Sequence, residues 1–160
     1  MPKLIKNDSV SSDSWQRALP DSDQLAQDHF PTLAQWQAAT ETLSAVQLQP
    51  GDEVATLVEA LDTLELIAVD FPVFTDGRGF SYARELRQRG YRGELRATGE
   101  FMPDQVHYLR RCGFDAFQPA DASRIEEYLR QLRVFSEHYQ ASIDEPLPLF
   151  RRRDSESQPA

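Results

Sequence analysis

Lysine is absent after Lys6, and the 160-residue chain holds one cysteine, two methionines and three histidines. Each scarcity removes a class of reading. One thiol, Cys112, cannot close an internal disulfide, nor build a cysteine-rich metal site or iron–sulfur cluster within one chain. His29, His107 and His138 fall on separate segments without HxH or HxxxH spacing, so no metal site is expected. No run of about 18 apolar residues occurs, which argues against a membrane span. Residues 1–10, MPKLIKNDSV, lack the apolar stretch of a secretory signal, and the expected location is cytoplasmic. GxGxxG, a Gly-Lys-Ser/Thr phosphate loop and a haem-attachment sequence are all missing. No cofactor is evident. A flavin stays compatible, because loops at strand ends can hold one without a readable motif.

What is present is a charge asymmetry. Residues 1–72 carry three basic groups against twelve acidic ones, whereas residues 73–160 carry fourteen arginines against fourteen acids. The net charge of -9 therefore sits in the first half. An acidic surface argues against nucleic acid as a partner. Arginine's planar fork matches carboxylates and sulfur or phosphorus oxyanions, and it equally suits salt bridges on helix surfaces.

Hydrophobic periodicity divides the chain into three parts. Residues 1–45 form a polar, acidic segment with Trp15 as its anchor, a short strand over 3–6 and a helix over 30–42 with Pro31 in its first turn. Residues 46–140 form an α/β core. Its strands are read at 46–49, 64–71, 94–98 and 115–118, and its helices at 52–61, 80–89, 104–112 and 122–139. LELIAVDF at 64–71 has the near-continuous apolar character of a strand covered on both faces. Gly90 and Gly113 fit helix C-termini, Asp104 a helix N-cap, and Ser123 with Glu126 a capping box. Residues 141–160, with Pro146, Pro148 and Arg151 to Arg153, read as an extended or disordered end. About four consecutive βα units in a single domain predict a parallel sheet, either flavodoxin-like or resembling half of an eight-stranded α/β barrel. Either architecture puts its working edge at the strand C-termini, which collects residues 49–53, 72–79, 98–103 and 118–121. A half-barrel edge is also compatible with a homodimer.

The densest signal on that edge is Phe74-Thr75-Asp76-Gly77-Arg78-Gly79-Phe80-Ser81, between a buried strand and a helix. Asp76, Gly77, Arg78, Gly79 and Ser81 can form an anion site from helix N-terminal amides and a fixed cation. They can equally form a turn in which Asp76 caps and Arg78 pairs with a carboxylate. Arg96, on a strand between apolar neighbours, needs a carboxylate partner if buried, and Asp76, Glu94 or Asp104 could supply it. Arg96, Asp104 and Gln105 complete the candidate ligand-binding set. Cys112 shares a helical face with Val106 and Leu109 and reads as core. His107 reads as a helix-surface histidine near Asp104, with acid or base chemistry as the alternative. No catalytic motif is readable.

The segments FPVFTDGRGFSYARELR, GYRGELRATGEF, Asp104-Gln105 and RRCGFDAF, in that order across residues 64–118, resemble a bacterial family of unknown biochemical function. KLIKN with Trp15 extends the likeness toward the N-terminus. That family is described as a candidate oxidoreductase involved in sulfite reduction, because its genes lie beside those of assimilatory sulfite reductase. The resemblance implies an accessory role in sulfur assimilation and cysteine biosynthesis, with sulfite reductase or another protein of that pathway as partner. The alternative it leaves is a small oxidoreductase or oxyanion-binding protein working through residues 76–79.

Overall fold

The computed structural model describes residues 3–19, 26 and 28–156, with side chains described as far as residue 152. Strands β1 (Leu4–Lys6) and β2 (Ser9–Ser11) form a hairpin whose turn residues, Asn7 and Asp8, take positive φ. Two short strands, β3 (Gln16–Arg17) and β4 (His29–Phe30), pair in parallel, and helix α1 (Leu33–Ala38) follows. The core then runs β5 (Ala45–Leu48), a 3₁₀ turn (Val54–Ala60), β6 (Leu66–Phe71), α2 (Arg78–Gln88), β7 (Glu94–Gly99), α3 (Val106–Cys112), β8 (Ala116–Pro119) and α4 (Ile125–Leu132). A last helix, α5 (Leu149–Glu156), closes the described chain.

Strands β5, β6, β7 and β8 are parallel and lie side by side in chain order, and β1 and β2 extend the sheet antiparallel beyond β8. A flavodoxin-like order reverses after its first strand; this parallel set does not. Crossovers of one hand between sequential strands return on one face. There Ile67, Val69, Leu95, Ala97 and Phe117 pack against Leu57, Ala83, Leu86, Leu109, Ile125 and Leu132. Phe71 is the hub of that layer, its ring 5.5 Å from Phe80, 6.1 Å from Phe101 and 6.0 Å from Phe114. The opposite face follows from the two-residue period of a strand. It carries Ala45, Leu66 and Ala68 under Phe30 and Trp15, interleaved with Gln47, Asp70, Glu94, Arg96, Thr98 and Gln118.

Several elements differ from the sequence expectation. Pro31 precedes α1, and Thr32 caps it, its Oγ1 accepting from the Gln35 amide at 3.3 Å. Among the described residues Asp104 caps no helix. It lies exposed within a 3₁₀ turn (Pro103–Gln105) whose N-cap position is Met102. Asp121 replaces the expected Ser123 and Glu126 box, accepting from the Ser123 amide at 2.9 Å. Helix α4 stops at Leu132, so Phe135 and Tyr139 are exposed instead of completing its stripe. The segment read as an extended or disordered end is structured through residue 156. Arg111 is buried and draws it in: Nη1 donates to Asp144 Oδ1 at 2.7 Å, Nη2 to the Gln140 carbonyl at 2.5 Å, and the Arg111 carbonyl accepts from Ser142 Oγ at 2.6 Å. Arg152 of α5 then pairs with Glu137 at 2.8 Å. Among the described residues no helix is long and apolar enough to cross a membrane.

Gly99 ends β7 with φ +101°, where a Cβ would stand 2.4 Å from the Phe71 carbonyl oxygen. Both the left-handed backbone and the close approach require glycine. Gly99→Ala is expected to cost about 2 kcal/mol or more in urea denaturation; an unchanged midpoint would contradict this placement.

Candidate functional site

The residues after β6 form the rim of the sheet on its helical side. Asp76 Oδ1 accepts from the Arg78 amide at 3.1 Å and from Nε at 3.0 Å, and Oδ2 accepts from Nη2 at 2.6 Å. The Arg78 fork is thus held by Asp76, as the turn reading expects, and its hydrogen bonds hold the Asp76 carboxyl below its ordinary pKa. Arg78 lies in the first turn of α2 and remains over half exposed, at 58%. Its Nη1 reaches the loop after β5, where Gly51 donates its N–H to Tyr82 Oη at 2.8 Å. Gly79 is a packing glycine: a Cβ there would stand 2.5 Å from the Phe71 ring. Gly77 has φ -84° and open space around it, so neither backbone nor packing demands glycine there. Ser81 faces solvent on α2. Gln105 ties two rim loops, its Nε2 donating to the Phe74 carbonyl at 3.0 Å while Oε1 accepts from the Met102 amide at 2.9 Å.

Arg96 lies elsewhere. It is fully buried in the opposite face of the sheet. Asp13 holds its fork bidentately at 2.5 and 3.1 Å, Glu94 Oε1 accepts from Nε at 2.8 Å, and Gln118 Oε1 accepts from Nη1 at 3.3 Å. Lys6 Nζ completes the charge balance on Glu94 at 2.5 Å, and the Phe30 ring lies 5.8 Å from the guanidinium. Of the three carboxylates proposed from sequence only Glu94 serves; Asp76 and Asp104 do not reach Arg96. Asp13, from the N-terminal segment, is the partner that sequence reasoning missed. Arg78, Arg96 and Asp104 therefore share no cleft.

A second group appears one register step along the same face, at the strand C-termini. Asp70, Thr98 and Gln118 are cross-strand neighbours on β6, β7 and β8. Arg17 of β3 donates to Asp70 Oδ1, and the Thr98 hydroxyl lies 3.2 Å from Asp70 Oδ1 and 3.3 Å from the Val69 carbonyl. Beside them opens a cavity of about 300 Å³ between Arg17, Phe30, Gln118 and Pro119. Thr98, Gln118 and Pro119 fall on the working edge expected from sequence, whereas no sequence signal pointed to Arg17, Phe30 or Asp70.

Two histidines come together against expectation. The His107 ring lies 4.8 Å from both Phe135 and His138, and its buried Nδ1 has no hydrogen-bond partner among the described residues. Burial, then His138 and Arg111, lower the His107 pKa, which Asp144 partly opposes. Burial pushes the Cys112 thiol up, away from a nucleophilic thiolate. Among the described residues no group of three or more His, Cys, Asp or Glu side chains is placed to hold a metal ion.

Two outcomes follow from these environments. Lysine cannot reproduce a fork that meets Asp13, Glu94 and Gln118 together. Arg96→Lys should therefore cost about 2 kcal/mol or more by chemical denaturation, with a shift in Trp15 emission; a variant as stable as the parent would refute the network. Because the folded His107 pKa is lowered, the unfolded chain takes up a proton first as pH falls through about 6.5. The thermal midpoint should drop across that range and level off below the folded pKa. His107→Gln should flatten this response, and an identical pH profile would count against it.

No curated protein matches the chain. A family model described as a bacterial protein of unknown function, DUF934, matches residues 45–150, from β5 into the start of α5. The segment that supplies Asp13, Arg17 and Phe30 precedes that match. The matched stretch spans most of the chain and contains the parallel strands β5 to β8 and the rim, so the chain belongs to the DUF934 family.

Proposed function

We propose that the protein is an accessory factor of assimilatory sulfite reduction that docks on sulfite reductase through the helical-side rim of its parallel sheet. The pathway is suggested by the resemblance carried by residues 64–118. The mode of action is supported by one observation above all. Val73, Phe74 and Met102 are 51%, 53% and 38% exposed, on loops that Gln105 fastens together. Aromatic, methionine and arginine side chains are the types enriched at the centres of protein interfaces. A preordered loop also loses less entropy on binding. The acidic half of the chain adds long-range steering toward a basic patch on the partner.

A second reading, an oxyanion-binding protein or small oxidoreductase using Asp76, Gly77, Arg78 and Gly79, is favoured by the open space over Gly77. It requires Arg78 to exchange Asp76 for a ligand.

Sedimentation of purified protein with sulfite reductase separates the two. Docking predicts a complex that weakens with salt and is weakened roughly 30-fold by Phe74→Glu, the scale of an interface hot spot, without loss of thermal stability. Absence of a complex at low salt would overturn it. The second reading instead predicts a thermal shift with sulfite, sulfate, flavin mononucleotide or a nicotinamide nucleotide that Arg78→Ala abolishes.

A further inference from the structure

We propose that the cavity at the C-terminal ends of β7 and β8, on the face away from the helices, binds a small organic carboxylate. The site is separate from the Phe74 rim and does not depend on docking there. Its walls are of two kinds: Phe30, Pro119 and Ala120 are apolar, while Arg17 and Gln118 bring hydrogen-bonding groups.

The polarity of Gln118 is fixed by Arg96. A guanidinium only donates, so the amide atom facing Arg96 Nη1 must be the oxygen, at 3.3 Å. Arg96 cannot turn to relax this, because Asp13 and Glu94 clamp it from two sides. The Gln118 amide therefore turns its NH2 group away from Arg96, and the residue itself lines the cavity. Arg17 enters from the N-terminal segment, its side chain half exposed, with Nη2 donating to Asp70 and to Thr98 Oγ1 and its other N–H groups without a partner among the described residues. Thr98 Oγ1, 3.2 Å from Asp70 Oδ1 and 3.3 Å from the Val69 carbonyl, spends its proton on one of these, so it adds no donor to the cavity. The outward-facing polar groups are thus donors on two sides of one opening, a pattern that suits carboxylate oxygens. A volume of about 300 Å³ lies at the small end of ligand pockets and admits a compact acid with a short apolar body on Phe30 and Pro119.

The test titrates ¹⁵N-labelled full-length protein with benzoate, using benzyl alcohol and inorganic sulfate as comparison probes. Benzoate should shift the Gln118 side-chain NH2 and the Gly99 and Ala120 amide resonances saturably. Benzyl alcohol should bind at least tenfold more weakly for want of a carboxylate, and sulfate for want of an apolar body. Gln118→Glu keeps an acceptor for Arg96 and replaces the cavity donors with a carboxylate oxygen. It should cut benzoate affinity at least tenfold while the remaining amide resonances keep the dispersion of the folded parent. Phe74→Glu should leave benzoate binding untouched. Equal binding of benzoate and benzyl alcohol, sulfate binding as tight as benzoate, or full affinity in Gln118→Glu would each overturn the proposal, as would the absence of saturable shifts in the parent.

Discussion

A guanidinium without solvent contact has to be neutralised from inside the protein, and in a parallel sheet the neighbouring strands offer mostly apolar side chains. Arg96 draws its counter-charge from two places: Glu94, two residues away on β7, and Asp13, in a segment that precedes the whole α/β core. That second contact has a large consequence. It fixes the N-terminal segment across the non-helical face, which lets Trp15 and Phe30 cover Ala45, Leu66 and Ala68. Without the cover, this face would expose buried strands to water, since all the crossovers lie on the other side. The same segment then delivers Arg17 to Asp70 at the strand termini. One buried ion cluster thus sets the sheet's covering layer and one of the groups at its edge.

The two faces of the sheet carry different physics. The helical face is held by apolar and aromatic packing around Phe71, and its rim exposes Phe74 beside the Arg78 and Asp76 pair. The other face is polar at its centre, with Lys6, Glu94, Arg96, Asp13 and Gln118 forming one connected chain of hydrogen bonds. Such a network stabilises only when every member is satisfied, because an unpaired buried charge costs several kcal/mol. A pre-set face of this kind positions side chains with little freedom, which is what the orientation of Gln118 illustrates. The C-terminal segment repeats the principle on a smaller scale: Arg111 is buried on α3 and recruits Asp144 and the Gln140 carbonyl.

Local signals carried much of the core in the sequence. LELIAVDF became β6 because a doubly covered strand has no room for polar alternation, and Gly90 and Gly113 took positive φ at helix ends as glycine there predicts. Arg96 was recognisable as a buried charge from its apolar neighbours. Its partner was not, because contact between Asp13 and Arg96 spans 83 positions and leaves no periodic trace. For the same reason the hairpin strand β2 went unread, and the ordered C-terminal segment was read as an extended or disordered end. Short polar strands and recruited tails depend on tertiary partners and not on intrinsic propensity. The motif at residues 76–79 was visible, but its glycines divide on structural grounds: Gly79 yields to the Phe71 ring, and Gly77 has no such constraint.

The central claim is that Asp13 and Arg96 join the N-terminal segment and the parallel core into one cooperative unit. A double-mutant cycle on chemical denaturation tests it most directly, with Asp13→Leu, Arg96→Met and the pair combined. The account predicts strong destabilisation by each single change, recovery in the double variant and a coupling energy of about 2 kcal/mol or more. Additive losses, with coupling near zero, would contradict it.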